Sequence, residues 1–86
     1  MVTKNVVLTA PNGMHARPAT ELVKLAKSLD GKVTIATEVK SVNATSMLGI
    51  LSLGLKSGAQ IVVTAEGGSE EANLNAVVDF IANITE

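Results

Sequence analysis

Cysteine, tryptophan and tyrosine are absent from these 86 residues, phenylalanine and histidine occur once each, and 7 basic against 8 acidic side chains leave a net charge of −1. Each shortage removes a class of function. Without cysteine there is no disulfide framework and no thiolate metal site, and one histidine leaves no ligand set for a zinc or iron centre of the usual kind. A lone aromatic, Phe80, cannot supply the stacking faces of an RNA-binding sheet, and a balanced charge is not the basic footprint of a nucleic-acid binder. No apolar run approaches the roughly 20 residues that cross a bilayer. The segment Met1 to Leu8 also lacks the basic start and long apolar core of a signal peptide. The expectation is a soluble cytoplasmic protein with no metal, no cofactor, no nucleic-acid partner and no membrane insertion.

What the chain does have is apolar side chains, 47% of the total, enough for one modest core and one domain spanning residues 1–86. Val2 to Leu8 alternates as a strand with Val6 and Leu8 inward, Lys4 interrupting the pattern. Ala16, Ala19, Leu22, Val23, Ala26 and Leu29 recur at three- and four-residue spacing, which predicts an amphipathic helix from near Ala16, ended by Asp30-Gly31. Its other face carries Arg17, Glu21, Lys24, Lys27 and Ser28. Residues 32–37 and 40–43 read as a strand pair around Glu38-Val39. Ser46 suits the N-cap of a short apolar helix, Met47 to Ser52, which Gly54, Lys56, Ser57 and Gly58 close. Gln60 to Ala65 is the most β-branched run. Gly67-Gly68 ends it, Ser69 can cap a last helix, and Leu74, Val77, Val78, Ile81 and Ile84 form that helix's buried stripe. The order strand-helix-strand-strand-helix-strand-helix fits an α+β fold of two layers, an antiparallel sheet covered by helices. The same order also permits a ferredoxin-like arrangement.

The only histidine stands in the segment GMHARPA, Gly13 to Ala19. Pro11-Asn12-Gly13 reads as a tight turn, and Gly13 frees the loop to take backbone angles that other residues avoid. His15 is thereby placed one residue before the helix. There the first backbone N–H groups lack intrahelical acceptors, and the macrodipole adds about half a positive charge. Arg17 supplies a fixed cation two residues on. Pro18 fits the first turn, where its missing N–H costs no helical bond, although it biases Arg17 away from helical angles. A neutral imidazole with a free lone pair can attack phosphorus, and the helix end and Arg17 then stabilise a product carrying about −1.5 to −2 charges. The helix-end term is on the order of 0.3–2 kcal/mol, so phosphate is steadied without being trapped.

The G-x-H-x-R-P-A string resembles the active-site signature of the histidine-containing phosphocarrier (HPr) family of the bacterial phosphoenolpyruvate-dependent sugar phosphotransferase system. Chain length, histidine position and the segment SMLGILSLGL, Ser46 to Leu55, extend the likeness nearly end to end. The resemblance implies an open-faced sandwich, a four-stranded antiparallel sheet with three helices on one face in the order βαββαβα. It implies that His15 accepts phosphate through Nδ1 from phospho-Enzyme I and passes it to a histidine on the sugar-specific IIA domains. Arg17 then matches the arginine that contacts phosphate, Pro18 the first-turn proline, and the backbone N–H groups of Ala16 and Arg17 the donors at the helix end. The chain is expected to be a carrier and not a free-standing enzyme.

The resemblance also implies a regulatory role for Ser46, which in many Gram-positive relatives is modified by an ATP-dependent kinase, the HPr serine kinase/phosphorylase. Many relatives carry lysine immediately before that serine, whereas this chain has Thr45. A helix as short as Met47 to Ser52 cannot bury every apolar side chain, so Met14, Met47, Leu48 and Leu51 are expected on a partner-facing surface with Thr20 and Lys24 at its edge, and methionines adapt to differently shaped partners. Ile50, Leu53 and Leu55 are assigned to the core. A monomer suits a relay that presents one face to successive partners.

Two other readings stay open on the residues. A small acylphosphatase-like enzyme would also use an arginine and backbone amides to cradle phosphate, and its turnover would survive His15→Ala. A regulatory HPr-like module would act through Ser46 or its surface without serving sugar transport; the presence of His15 argues against regulation alone.

Overall fold

Alternating apolar residues at the two ends of the chain's β-branched segments bring four strands into one sheet. The computed structural model describes residues 1–84; Thr85 and Glu86, the end of the expected 1–86 domain, lie outside them. Its elements are β1 (Val2–Val7), α1 (Ala16–Ser28), β2 (Lys32–Ala36), β3 (Ser41–Asn43), α2 (Met47–Ser52), β4 (Gln60–Glu66) and α3 (Glu70–Ala82). The sheet runs β1-β4-β2-β3 with every neighbouring pair antiparallel. This is the open-faced α+β sandwich, with the three helices on one face. Periodicity gave the elements but not this strand order.

Register explains which side is buried. Val33 pairs with Ala65 and Ile35 with Val63, and all four face the helices and are buried with Ile61. On the other side of β4, Val6 pairs with Ile61 and Lys4 with Val63. Lys4 therefore points to the helix side of an edge strand, where it stays exposed. A charge at that place discourages a further strand from pairing there, a physical reason for the break in alternation.

The helices close the core. α1 buries Pro18, Ala19, Leu22, Val23 and Ala26, and α3 buries Leu74, Val77, Val78 and Ile81. Ala16, which the apolar spacing groups with the α1 stripe, is exposed. Strand β1 ends at Val7, one residue short of the expected Leu8, but Leu8 is fully buried and its N–H still donates to the Ala59 carbonyl at 2.9 Å.

At the end of the molecule where α1 stops, the sequence reading needs a correction. Ser69 occupies the N-cap position of α3 but makes no side-chain capping bond. Its hydroxyl donates to Asp30, 39 residues away, at 3.1 Å, and its backbone N–H also donates to that carboxylate, as does Asn73 Nδ2 at 2.8 Å. The Asp30 carboxylate therefore holds the start of α3 against the end of α1 through the N-cap residue and the Asn73 side chain, and its charge suits the positive helix end. The approach is close: a Cβ on Gly31 would run into the Gly67 carbonyl oxygen. Glu70 adds a second tie, accepting from Gly67 N–H at 2.8 Å and pairing with the Met1 ammonium at 3.0 Å.

The hydrogen bonds from Asn73 and Ser69 hold the Asp30 carboxyl below its ordinary pKa of 3.8. A carboxyl depressed on folding stabilises the fold above its unfolded pKa, and that contribution is lost as pH falls through the lower folded value. Asp30→Asn is expected to lower the urea midpoint at pH 7, and the gap from the wild type should narrow below pH 3.8. Urea titrations across pH 2.5–7 (about the carboxylate range) check this; a gap that does not change with pH contradicts it.

Candidate functional site

The loop between β1 and α1 is held from both sides. Gly13 takes φ +70° and its N–H donates to the Ala10 carbonyl at 3.0 Å, closing the turn expected at Pro11-Asn12-Gly13. Met14 N–H donates to the Leu55 carbonyl at 3.0 Å, and Gly58 N–H donates to the Leu8 carbonyl at 2.6 Å. A Cβ on Gly13 would strike the Leu55 carbonyl oxygen. Glycine is required there on two counts, its left-handed φ and this approach. Spacing along the sequence carries no signal for the contact, because its two halves are about forty positions apart.

That anchoring sets His15 at the N-cap of α1 with extended backbone, φ −95° and ψ −174°, and its ring makes no capping hydrogen bond. The first i→i−4 bond of the helix runs from Ala19 N–H to the His15 carbonyl at 3.0 Å. Ala16 and Arg17 lie in the turn ahead of it, with Pro18 buried as the third helical residue. His15 is half-buried, and its Nε2 is sealed from solvent with no hydrogen-bond partner among the described residues. An unsatisfied buried polar atom is uncommon in a folded protein and marks a place under functional constraint. Nδ1, the other ring nitrogen, is not among the buried, unpartnered side-chain atoms of the described residues. Arg17 is exposed on the same turn. The arrangement offers one imidazole nitrogen, the positive end of a 13-residue helix and a guanidinium within two residues, which is what an imidazole-bound phosphate requires.

Helix α2 stands next to α1. Thr20 Oγ donates to the Ala16 carbonyl at 2.7 Å and lies 3.9 Å from Met47 Sδ, so the first turns of the two helices touch. Ser46 caps α2 as expected, its Oγ accepting from Gly49 N–H at 3.0 Å. The apolar residues divide. Leu48 is 83% exposed and Leu51 38%, Met47 is half-buried against the core, and Lys24 and Thr20 are exposed. Met14 is not on this surface: at 6% exposure it belongs to the core, because the bond to Leu55 draws its backbone inward. Ile50 and Leu55 are buried and Leu53 is partly so.

A groove of about 520 Å³ lies elsewhere, between Val39 of the β2–β3 hairpin and Leu53, Gln60 and Val62, and contains neither His15 nor Arg17. Among the described residues no group of His, Asp and Glu is placed to hold a metal ion, and no helix is long and apolar enough to cross a membrane.

The cap gives Ser46 a measurable structural role. Ser46→Ala is expected to cost about 1 kcal/mol of stability, and Ser46→Asp, which keeps an acceptor for Gly49 N–H, to recover most of it. Denaturant unfolding checks this; equal losses in the two variants contradict the cap.

The family model described as PTS HPr component phosphorylation site matches residues 2–83. The phosphocarrier protein HPr of Borreliella burgdorferi is 36% identical over 86 residues, the whole of both chains. Among solved structures, the phosphocarrier protein HPr from Bacillus anthracis superposes with a TM-score of 0.89 at 36% identity, covering 93% of this chain and 95% of the other. HPr-C-His from Thermoanaerobacter tengcongensis gives the same TM-score and identity over 94% and 91%. The chain belongs to the PTS HPr family, the phosphocarriers of the bacterial sugar phosphotransferase system.

Proposed function

We propose that this chain relays phosphate through Nδ1 of His15, accepting it from phospho-Enzyme I and passing it to a histidine on the IIA domains of sugar permeases. Family membership supports the carrier role, and one structural observation supports the atom: His15 stands at the N-cap of α1 with Nε2 buried and its ring uncommitted to capping. Arg17 and the Ala16 and Arg17 backbone amides stabilise the phosphoryl charge, and Pro18 sets the backbone of the first turn without demanding a helical hydrogen bond. Each transfer breaks an N–P bond on one histidine and forms one on another, unmodified histidine, so it is nearly balanced in energy. Catalysis is then largely alignment and charge stabilisation, most of it supplied by each partner in turn. The chain acts as a carrier in the cytoplasm, as one domain and as a monomer, and does not turn over alone.

The docking surface consists of Met47, Leu48 and Leu51 with Thr20 and Lys24 at its rim. Exposure of Leu48 and Leu51 on the helix whose Met47 meets Thr20 of α1 supports this, since an apolar patch ringed by polar groups marks a protein contact. Ser46 borders the same surface. A phosphate there would be tolerated by the positive helix end, while its charge would oppose acidic partners and slow transfer at His15.

Incubation with Enzyme I and phosphoenolpyruvate should add one acid-labile phosphate to the wild type and none to His15→Ala, read as intact mass before and after acid. A wild type that gains no phosphate, or a variant that gains it equally, overturns the assignment. Incubation with ATP and the serine kinase should add an acid-stable phosphate that is lost in Ser46→Ala; no adduct leaves Ser46 with the capping role alone.

A further inference from the structure

We propose that Lys56 is a second phosphate-positioning cation of the His15 site, a role that rests on the carrier reading above. Three observations converge on it. The chain at Leu55-Lys56 runs directly against the residues before the histidine: Met14 N–H is bonded to the Leu55 carbonyl, and the Lys56 Cα stands 3.0 Å from where a Cβ on Gly13 would be. The lysine is exposed, and its four-carbon stem can carry the ammonium about 6 Å from the backbone, a reach that spans the one residue, Met14, between Gly13 and His15. Because Gly13 has no side chain, nothing of that residue stands between them.

Charge distribution points the same way. Residues 1–20 and 39–65, which contribute both loops of the site and the α2 surface, contain Lys4, Arg17, Lys40 and Lys56 and not one Asp or Glu. A chain of net charge −1 has kept its carboxylates out of these segments. The nearest acid along the sequence is Glu21, one helical turn beyond Arg17, while Asp30 and Glu70 are engaged in hydrogen bonds at the start of α3. Arg17 belongs to the first turn of α1 and Lys56 to the loop before β4, so the two cations come to the histidine loop from different elements. A planar guanidinium fixes orientation, and a mobile ammonium follows the phosphoryl group as it passes between partners.

The test loads the full chain with Enzyme I and phosphoenolpyruvate, then follows the phosphohistidine 31P line against pH in the wild type, Lys56→Met, Lys56→Arg and Lys27→Met, the last altering an exposed lysine in the final turn of α1. A charge on the order of 8 Å away should hold the second phosphate ionisation down by roughly 0.3 pH unit at low ionic strength and by about 0.1 at physiological salt. Lys56→Met is expected to lose that shift and Lys56→Arg to keep it, with Lys27→Met like the wild type. A purely structural role for Lys56 would not yield a salt-dependent titration rescued by arginine. Lys56→Met titrating with the wild type at low salt overturns the inference while leaving the carrier intact. A wild type that takes up no phosphate removes both.

Discussion

The backbone contact between the His15 loop and the segment leading into β4 is the constraint on which the site depends. Met14 is bonded to Leu55, Gly58 to Leu8, and Gly13 lies so close to the Leu55 carbonyl that no side chain fits. These bonds are buried or partly buried, so losing one would leave a polar group unmet. They fix the direction in which the chain enters α1, and hence where the imidazole stands relative to the helix axis. The sheet contributes by holding both loops at one end, since β1 and β4 are neighbours paired from Val2–Ala65 to Val7–Gln60. Adjacent strands bring adjacent loops.

The two ends of the molecule use charge differently. Where α1 finishes, carboxylates are consumed in structure: Asp30 accepts from Ser69 and Asn73 at the start of α3, and Glu70 ties Gly67 and the Met1 ammonium together. Where α1 begins, the flanking side chains are a cation and an imidazole, and no carboxylate occurs among residues 1–20. One helix therefore connects an end fixed by carboxylates to an end without them, which is the end proposed to receive phosphate.

Much of this was legible in the residues because it is local. The Gly-x-His-x-Arg-Pro string, the apolar stripe of α1 and the Ser46 cap all lie within a few positions of what they control, and the helices begin at Ala16 and Met47 as their spacing predicts. The misreadings were those decided across long separations. Met14 looked like a surface methionine beside the histidine, and only its bond to Leu55 shows why it is core. Ser69 stands at the N-cap as its composition suggests, yet its hydroxyl donates to Asp30, 39 residues away, instead of accepting from the helix. Ala16 fits the apolar period but stands in the first turn, where the helix has not yet met the sheet and the side chain is exposed. Strand order belongs with these, because alternation says which face is buried and not which strands are neighbours.

The carrier proposal turns on a single atom, Nδ1 of His15, since Nε2 is buried without a hydrogen-bond partner among the described residues. The most direct measurement is 15N–31P correlation on the histidine-labelled, phosphorylated protein. One-bond coupling to Nδ1 and none to Nε2 is expected. Coupling to Nε2 would contradict the geometry on which the site is built.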